Sequence, residues 1–444
     1  MDQLLALPVK GEAFLLRRGC HSVLVDSGWN GRSLAAAIKS CAPDLREIDV
    51  AVCTHADGDH ARGFKDFLAH WRVTGPGERE VPGKIGQFWL PGSWADVLPE
   101  LMRDPRAFGN GLITALDELT SEQPNLAEHE GDAEDLAEEL DALVRIEREA
   151  VADREFPYED LGRETEFEFD PFFDDAEIDL GATEPLDEPA WFDEMRRRVD
   201  EIVITRPIAI KAFQSCRRRI RYRRTRGKIG AALSQFWLGL IDSAFSIRAI
   251  AEIAIERRIR VRWFDFDEFA RTRRASGGVR GFLVPLNAVE QAPVPRTGLS
   301  YLARLSPINE ACLAFFAPPT VTRLGVVFCG DSPLGNGLQY SDSFLAGLPR
   351  PRLPVIATAP HHGSESNQIA YRHLSSWATV CVWLRTGGSK KQPGPTFKAL
   401  RFPTRICSHC PQSGLKLQKA GVIGTCRWPC FGPLWIMGHY CACT

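Results

Sequence analysis

The chain has 444 residues, of which 44% are hydrophobic, and a formal net charge of −3 at pH 7. That apolar share excludes a chain too polar to build a core, and the length allows one large domain with insertions or two domains. The near-neutral total says little until it is divided by region.

The start, Met1-Asp2-Gln3-Leu4, shows no basic stretch followed by an apolar run. No signal peptide is expected, and the reading is cytoplasmic. Residues 11–28 read as two short strands joined by a turn at Arg18-Gly19. Asp26, at the end of the second, either supports a metal-binding His through a hydrogen bond or caps a turn. A helix is expected over 33–40 with Ser33 near its cap. Residues 48–53 are mostly β-branched or small and apolar, which predicts a buried strand. Then comes Thr54-His55-Ala56-Asp57-Gly58-Asp59-His60-Ala61-Arg62-Gly63, with two His and two Asp in six positions. A helix is expected to begin at Phe64, so these side chains gather where a strand ends. Imidazole nitrogen with carboxylate oxygen suits zinc, manganese or iron. The plainer reading is an Asp-rich loop with two satisfied histidines. Residues 83–91 predict the next strand.

Residues 117–201 hold 32 Asp and Glu against 7 Arg and no Lys. Their net charge of about −25 leaves the remainder near +22. Residues 206–228 then carry 10 Lys and Arg and no acid, including Arg217, Arg218, Arg219, Arg221, Arg223 and Arg224 around Tyr222. Arginines interleaved with an aromatic suit nucleic acid, DNA or RNA. A solvated helix neutralised by the acidic stretch is the alternative. Both hold together if the acidic segment covers a basic groove and competes with nucleic acid for it.

The apolar run at 229–247 is interrupted by Ser234, Gln235 and Asp242, which reads as a buried or amphipathic helix and gives no membrane partner. A helix over 247–258, a strand over 259–264 and another over 281–286 continue an α/β alternation. Residues 324–328 form an apolar strand running into Cys329-Gly330-Asp331, and 354–359 form another running into Pro360-His361-His362-Gly363-Ser364. Lys390 and Lys391 sit in a Gly-rich loop beyond. Six of the 13 Cys follow residue 406; the other seven are scattered and read as reduced, buried cysteines of a cytosolic protein. The spacing of Cys407, Cys410, Cys426 and Cys430 gives a candidate structural zinc site, with metal-free reduced cysteines as the alternative.

The His-x-Asp-x-Asp-His run at 55–60 resembles the signature of the metallo-β-lactamase fold superfamily. With Thr54 and Gly63 it more closely resembles the hydrolase domain of the DNA-uptake protein ComEC. Residues 11–28, Gly330-Asp331 and His361-His362-Gly363-Ser364 resemble further elements of that subgroup, in the same order. So do Pro307-Ile308-Asn309 and the strand after them, with Cys312 where Ser is usual. The resemblance implies a four-layer αβ/βα sandwich formed by 1–104 and 229–400. An acidic then basic insertion at 105–228 and a Cys-rich tail at 401–444 lie outside it. It implies one or two divalent cations, zinc or manganese, held by His55, Asp57, Asp59, His60, Asp331 and His362, with Asp331 bridging. Asp59 would also orient the nucleophile, and His361 would contact phosphate or donate a proton. Many relatives add another His between the first motif and the Gly-Asp. Here that interval holds only His70 and His129, so the half containing His55 binds weakly or borrows a ligand.

The function implied is a metal-dependent phosphodiesterase, a nuclease acting on DNA or RNA, with antiviral defence as one conceivable setting. The alternatives are hydrolysis of a small ester, lactone or cyclic nucleotide, and a regulatory or assembly protein that binds protein partners through its acidic insert or Cys-rich tail.

Overall fold

Alternating apolar residues set two faces on each central strand, and the two faces enter different cores. The computed structural model describes residues 2–75, 79–127, 133–155, 178, 180, 188–306, 308–320, 323–388, 391–401, 404–410, 420–424, 434–437 and 441–443. Among them, one sheet runs in spatial order β10 (Val289–Glu290), β8 (Arg260–Asp265), β7 (Lys84–Pro91), β4 (Glu47–Val52), β3 (His21–Val25), β2 (Phe14–Arg18), β1 (Asp2–Ala6), β16 (Ala420–Gly424) and β17 (Leu434–Met437). A second runs β15 (Arg405–Cys407), β14 (Val380–Arg385), β13 (Val355–Thr358), β12 (Gly325–Phe328), β11 (Phe315–Ala317) and β9 (Val284–Pro285). β5 (Arg72–Thr74) and β6 (Glu80–Pro82) pair as a separate hairpin. The strands nearest the motifs, β3-β4-β7-β8 and β12-β13-β14-β15, are parallel.

Val50 and Val52 of β4 face Phe315, Val326, Phe328 and Ile356 in a core between the sheets. Ile48 and Ala51, on the other face of β4, belong to a second core under helices. Likewise Val326 and Phe328 point inward, whereas Val327 packs outward with Ala357, Trp383, Leu374 and Trp377. The layers are therefore helix, sheet, sheet, helix, the αβ/βα order expected.

The outer helical layer on the first sheet includes α1 (Gly31–Cys41), α3 (Phe64–His70), α4 (Leu98–Arg103) and α5 (Pro105–Glu122), which flank the short α2 (Gly58–Ala61) and α6 (Pro124–Ala127). α7 (Ala133–Glu155), α8 (Ala190–Arg197), α9 (Val199–Thr225) and α10 (Ala231–Glu256) complete it. Leu136, Leu140 and Val144 of α7 and Phe213 and Ile220 of α9 share one core with Leu34, Ile38 and Phe67. The described part of 105–228 is thus built into this layer.

Three local expectations shift. Asn30, not Ser33, caps α1, its Oδ1 accepting from Ser33 N at 2.9 Å. The apolar run at 229–247 and the helix at 247–258 are one helix, α10, whose buried Arg248 donates to Glu252 Oε1 at 2.7 Å and to Leu101 O at 2.6 Å. Among the described residues no helix is long and apolar enough to cross a membrane. The strand expected over 281–286 shrinks to Val284–Pro285, because left-handed Gly277, Gly278 and Gly281 turn the chain there.

Candidate metal centre

The two sheets bring their strand ends together at one place. From the first sheet, β4 ends into His55, Asp57 caps α2 through its backbone, and Asp59 and His60 lie on that helix. From the second, β12 ends into Gly330-Asp331 and β13 into a kinked turn, Pro360–Gly363, containing His361 and His362. Both histidines have left-handed backbone, φ +47° and +54°. Non-glycine residues adopt that region at a cost, which marks this turn as held by its surroundings.

Asp331 lies between the two groups. Its Oδ1 is 3.3 Å from His60 Nε2, and its Oδ2 is 3.5 Å from His55 Nε2 and 3.6 Å from His361 Nε2. Asp57 Oδ2 is 3.7 Å from His55 Nε2, and His362 Nε2 meets Asp59 Oδ2 at 3.0 Å. The six residues expected as ligands are thus neighbours pair by pair, with His361 on the His55 side, while His60, Asp331 and His362 alone among the six fall in one tight ligand group. His70 instead sits on α3 beside Asp66, and His129 lies outside the described residues.

The opposite ring nitrogens are held. His60 Nδ1 donates to Asp26 Oδ2 at 2.8 Å. Thr54 Oγ1 donates to the same oxygen at 2.8 Å and meets His55 Nδ1 at 3.0 Å. Asp26, itself fully buried, thus orients His60 directly and His55 through Thr54. Cys312 Sγ lies 3.3 Å from His55 Nδ1 and accepts from Asp331 N at 3.1 Å. His362 Nδ1 donates to Thr386 O at 3.1 Å. Each of these three rings consequently presents Nε2 inward.

Sequence reasoning missed Glu12. It is 1% exposed, its Oε2 lies 3.1 Å from His362 Nδ1, and its carboxylate groups with His60, Asp331 and His362 within ligand-bridging range. The available signal was a lone carboxylate between Gly11 and Ala13 at the mouth of an apolar strand. Gly11, at φ +89°, brings that segment so close that a Cβ would lie 2.4 Å from Asp59 O.

Without a cation the site is a knot of opposed charges. Burial alone would push His60 and His362 down. The carboxylates of Asp331 and Asp26 raise His60 well above the usual imidazole value, and Asp59 and Glu12 lift His362 to about 10. Burial opposes ionisation of Asp331, but His361 and His60 hold it well below the carboxylate range. Burial raises Glu12. Still, His55 Nε2, His60 Nε2 and Asp331 Oδ1 have no hydrogen-bond partner although buried. Buried imidazole nitrogens and a carboxylate oxygen crowded together without hydrogen bonds are what a divalent cation satisfies once the imidazoles lose their protons, so the donor set fits one.

Residues 7–144 match the metallo-beta-lactamase superfamily. No match among curated proteins accompanies it. The family match, with the buried His, Asp and Glu group, supports a metal-dependent hydrolase.

The other expected sites divide. Cys407 and Cys410 lie together, but their described neighbours are Cys441 and Cys443; Cys426, Cys430 and Lys390 lie outside the described residues. In the basic run, Arg217 is tied to Asp242, Arg223 forks onto Asp117, and Arg219 bonds Asn110 Oδ1 at 2.9 Å. Arg218, Arg221 and Arg224 are exposed, with no side-chain hydrogen bond or ion pair among the described residues. The acidic α7 packs against α10 and the short helix Tyr301–Leu305.

Proposed function

We propose that the chain is a metal-dependent phosphodiesterase that cuts nucleic acid. The observation that carries this reading beyond a generic hydrolase is Trp29. It is 37% exposed and stands against Gly58 of the His-Asp motif, where a Cβ would lie 2.8 Å from its ring. Lys10 Nζ and the Arg62 guanidinium each lie 5.7 Å from the Trp29 ring centroid. An aromatic face with two cations beside a metal-binding motif suits a base and its flanking phosphates. The free Arg218, Arg221 and Arg224 extend the basic surface elsewhere on the molecule.

Zinc or manganese bound by these residues supplies Lewis acidity to a phosphoryl oxygen. Asp331 holds two sets of imidazoles apart by offering one oxygen to each. Asp59 stays ionised because the charge on His60 and the hydrogen bond from His362 outweigh its burial, so it accepts a proton-bearing nucleophile and orients it. For His361 the sequence expectation is phosphate contact or proton donation. The direction of its Nε2, toward the same Asp331 oxygen as His55, favours a place among the cation-holding groups. It then supplies the imidazole that the sequence pattern lacks on that side. Its Nδ1 is set by Asn367 Oδ1 at 3.3 Å, and Asn367 Nδ2 in turn donates to Asp331 O at 2.6 Å.

The test is cleavage of single- and double-stranded DNA and of RNA with Mn2+ or Zn2+, beside metal analysis of wild type and Asp59→Ala/His60→Ala. Metal-dependent cleavage lost in the variant is expected. Metal binding without any nucleic-acid cleavage would move the substrate to small phosphodiesters or lactones. Absence of metal outside the Cys-rich tail would leave a regulatory or assembly protein.

A further inference from the structure

At the edge of the second sheet, at the same strand ends as the histidines but two strands away, four cysteines face one another. Cys407 ends β15, Cys410 follows one turn later, and Cys441 and Cys443 return beside them, with Cys441 N donating to Arg405 O at 2.8 Å. Every sulfur lies within 4.8 Å of the others. Cys443 Sγ is 3.7 Å from Cys407 Sγ and 3.6 Å from Cys410 Sγ. A disulfide needs about 2.05 Å. Four sulfurs placed about 2.3 Å from a tetrahedral zinc lie about 3.8 Å apart. The spacing matches the second and not the first. Cys407, Cys410 and Cys441 are buried, and Ala442 N donates to Cys410 Sγ at 3.3 Å, the kind of amide bond that favours thiolate.

A second observation concerns charge. Arg385, at the end of β14, is 2% exposed, and no carboxylate among the described residues lies within ion-pair distance of it. Its guanidinium reaches Cys443 Sγ at 3.9 Å on one side and donates to His362 O at 2.6 Å on the other. A buried guanidinium requires an anion. Four thiolates on one divalent cation carry a net charge of −2, which meets that requirement.

We propose that Cys407, Cys410, Cys441 and Cys443 bind zinc as a tetrathiolate, clasping the last described residues onto β15 and neutralising Arg385. The site is separate from the histidine centre, and it replaces the Cys426 and Cys430 pair expected from spacing alone.

Cobalt substitution of the full chain under reducing conditions tests it. The histidine centre offers nitrogen and oxygen, so intense sulfur-to-cobalt charge transfer reports the cysteines alone. The expected result is that band in the wild type with the intensity of about one sulfur-bound cobalt per chain beside any cobalt at the histidines, abolished in Cys441→Ser/Cys443→Ser and kept in Cys426→Ser/Cys430→Ser. No charge-transfer band in the wild type, or its loss in Cys426→Ser/Cys430→Ser, overturns the assignment. So does finding these cysteines as disulfides in freshly purified protein. Should Cys441→Ser/Cys443→Ser fail to fold, zinc X-ray absorption on the wild type decides. A sulfur shell beside the nitrogen and oxygen shell supports the site, and nitrogen and oxygen alone refute it.

Discussion

Asp26 touches no substrate, yet two of the four imidazoles take their orientation from it. Replacing it with Asn keeps the shape but removes the charge that both His60 and Thr54 donate to. Partners of this kind are worth about 10–100-fold in metal affinity, so Asp26→Asn should weaken manganese binding by that range in a chelator competition. His361→Ala tests the position of the fourth imidazole: loss of part of the bound metal marks it as a holder of cation, and full metal with slow turnover marks it as a proton donor. The raised imidazoles also set a pH dependence. In the metal-free protein, His362's ordinary value is 6.5 and its folded value about 10. Its ion pairs therefore stabilise the fold fully below pH 6.5, and that contribution fades as pH climbs toward 10. Metal uptake runs the opposite way, because a cation must displace those protons. Loading of all three raised imidazoles, His55, His60 and His362, at pH 7 should release about three protons, read by calorimetry in buffers of different ionisation enthalpy, and affinity should fall as pH drops.

The turn holding His361 and His362 depends on its neighbours more than on its own sequence. Arg385 grips its carbonyl, Thr386 its imidazole, and Ser408 Oγ donates to Thr386 Oγ1 at 3.0 Å. Arg385→Lys keeps a charge but not the planar fork; it should leave cysteine-bound metal in place and lower manganese affinity at the histidines severalfold. On α9 the arginines separate by partner. Reversing Arg218, Arg221 and Arg224 to Glu should weaken nucleic-acid binding and flatten its salt dependence by about two to three logarithmic units per decade of salt. Removing Arg217 or Arg223 should instead cost stability, since each is tied to an Asp. What the sequence revealed follows the same division. The strands before His55 and Asp331 were legible because alternation and motif coincided within a few residues. Glu12, Arg385 and the return of Cys441 and Cys443 were not, because Glu12 meets His362 from the other end of the chain, Arg385 and the cysteines meet partners 23 to 58 residues away, and none carries a local pattern. The basic run was legible as charge, but which arginines are free depends on Asp117 and Asp242 lying opposite.

Across the whole molecule, the acidic region cannot be treated as a removable cover. Deleting 120–200 to expose a basic groove would also strip Leu136, Leu140 and Val144 from the core. Buried leucines cost about 2–5 kcal/mol each when truncated, so that deletion should unfold the outer layer and lower thermal stability. Replacing only exposed acids such as Glu118 and Glu139 by Gln is the cleaner test of competition with nucleic acid. Tighter binding would support it, and unchanged binding would end the idea. The insertion was visible in the charge profile, whereas its packing into the helical layer was hidden behind an ordinary three-to-four residue spacing of leucines.

β1 opens the chain's first sheet, yet its outer edge is covered by β16, with Asp2 opposite Gly424. During synthesis, therefore, that edge stays open until nearly the whole described chain has left the ribosome. The histidine centre has the same timing, since Asp59 must await His362. A chain ending before His362 has a bare strand edge and half a reaction centre. Such a fragment should aggregate and be cleared without hydrolysing anything.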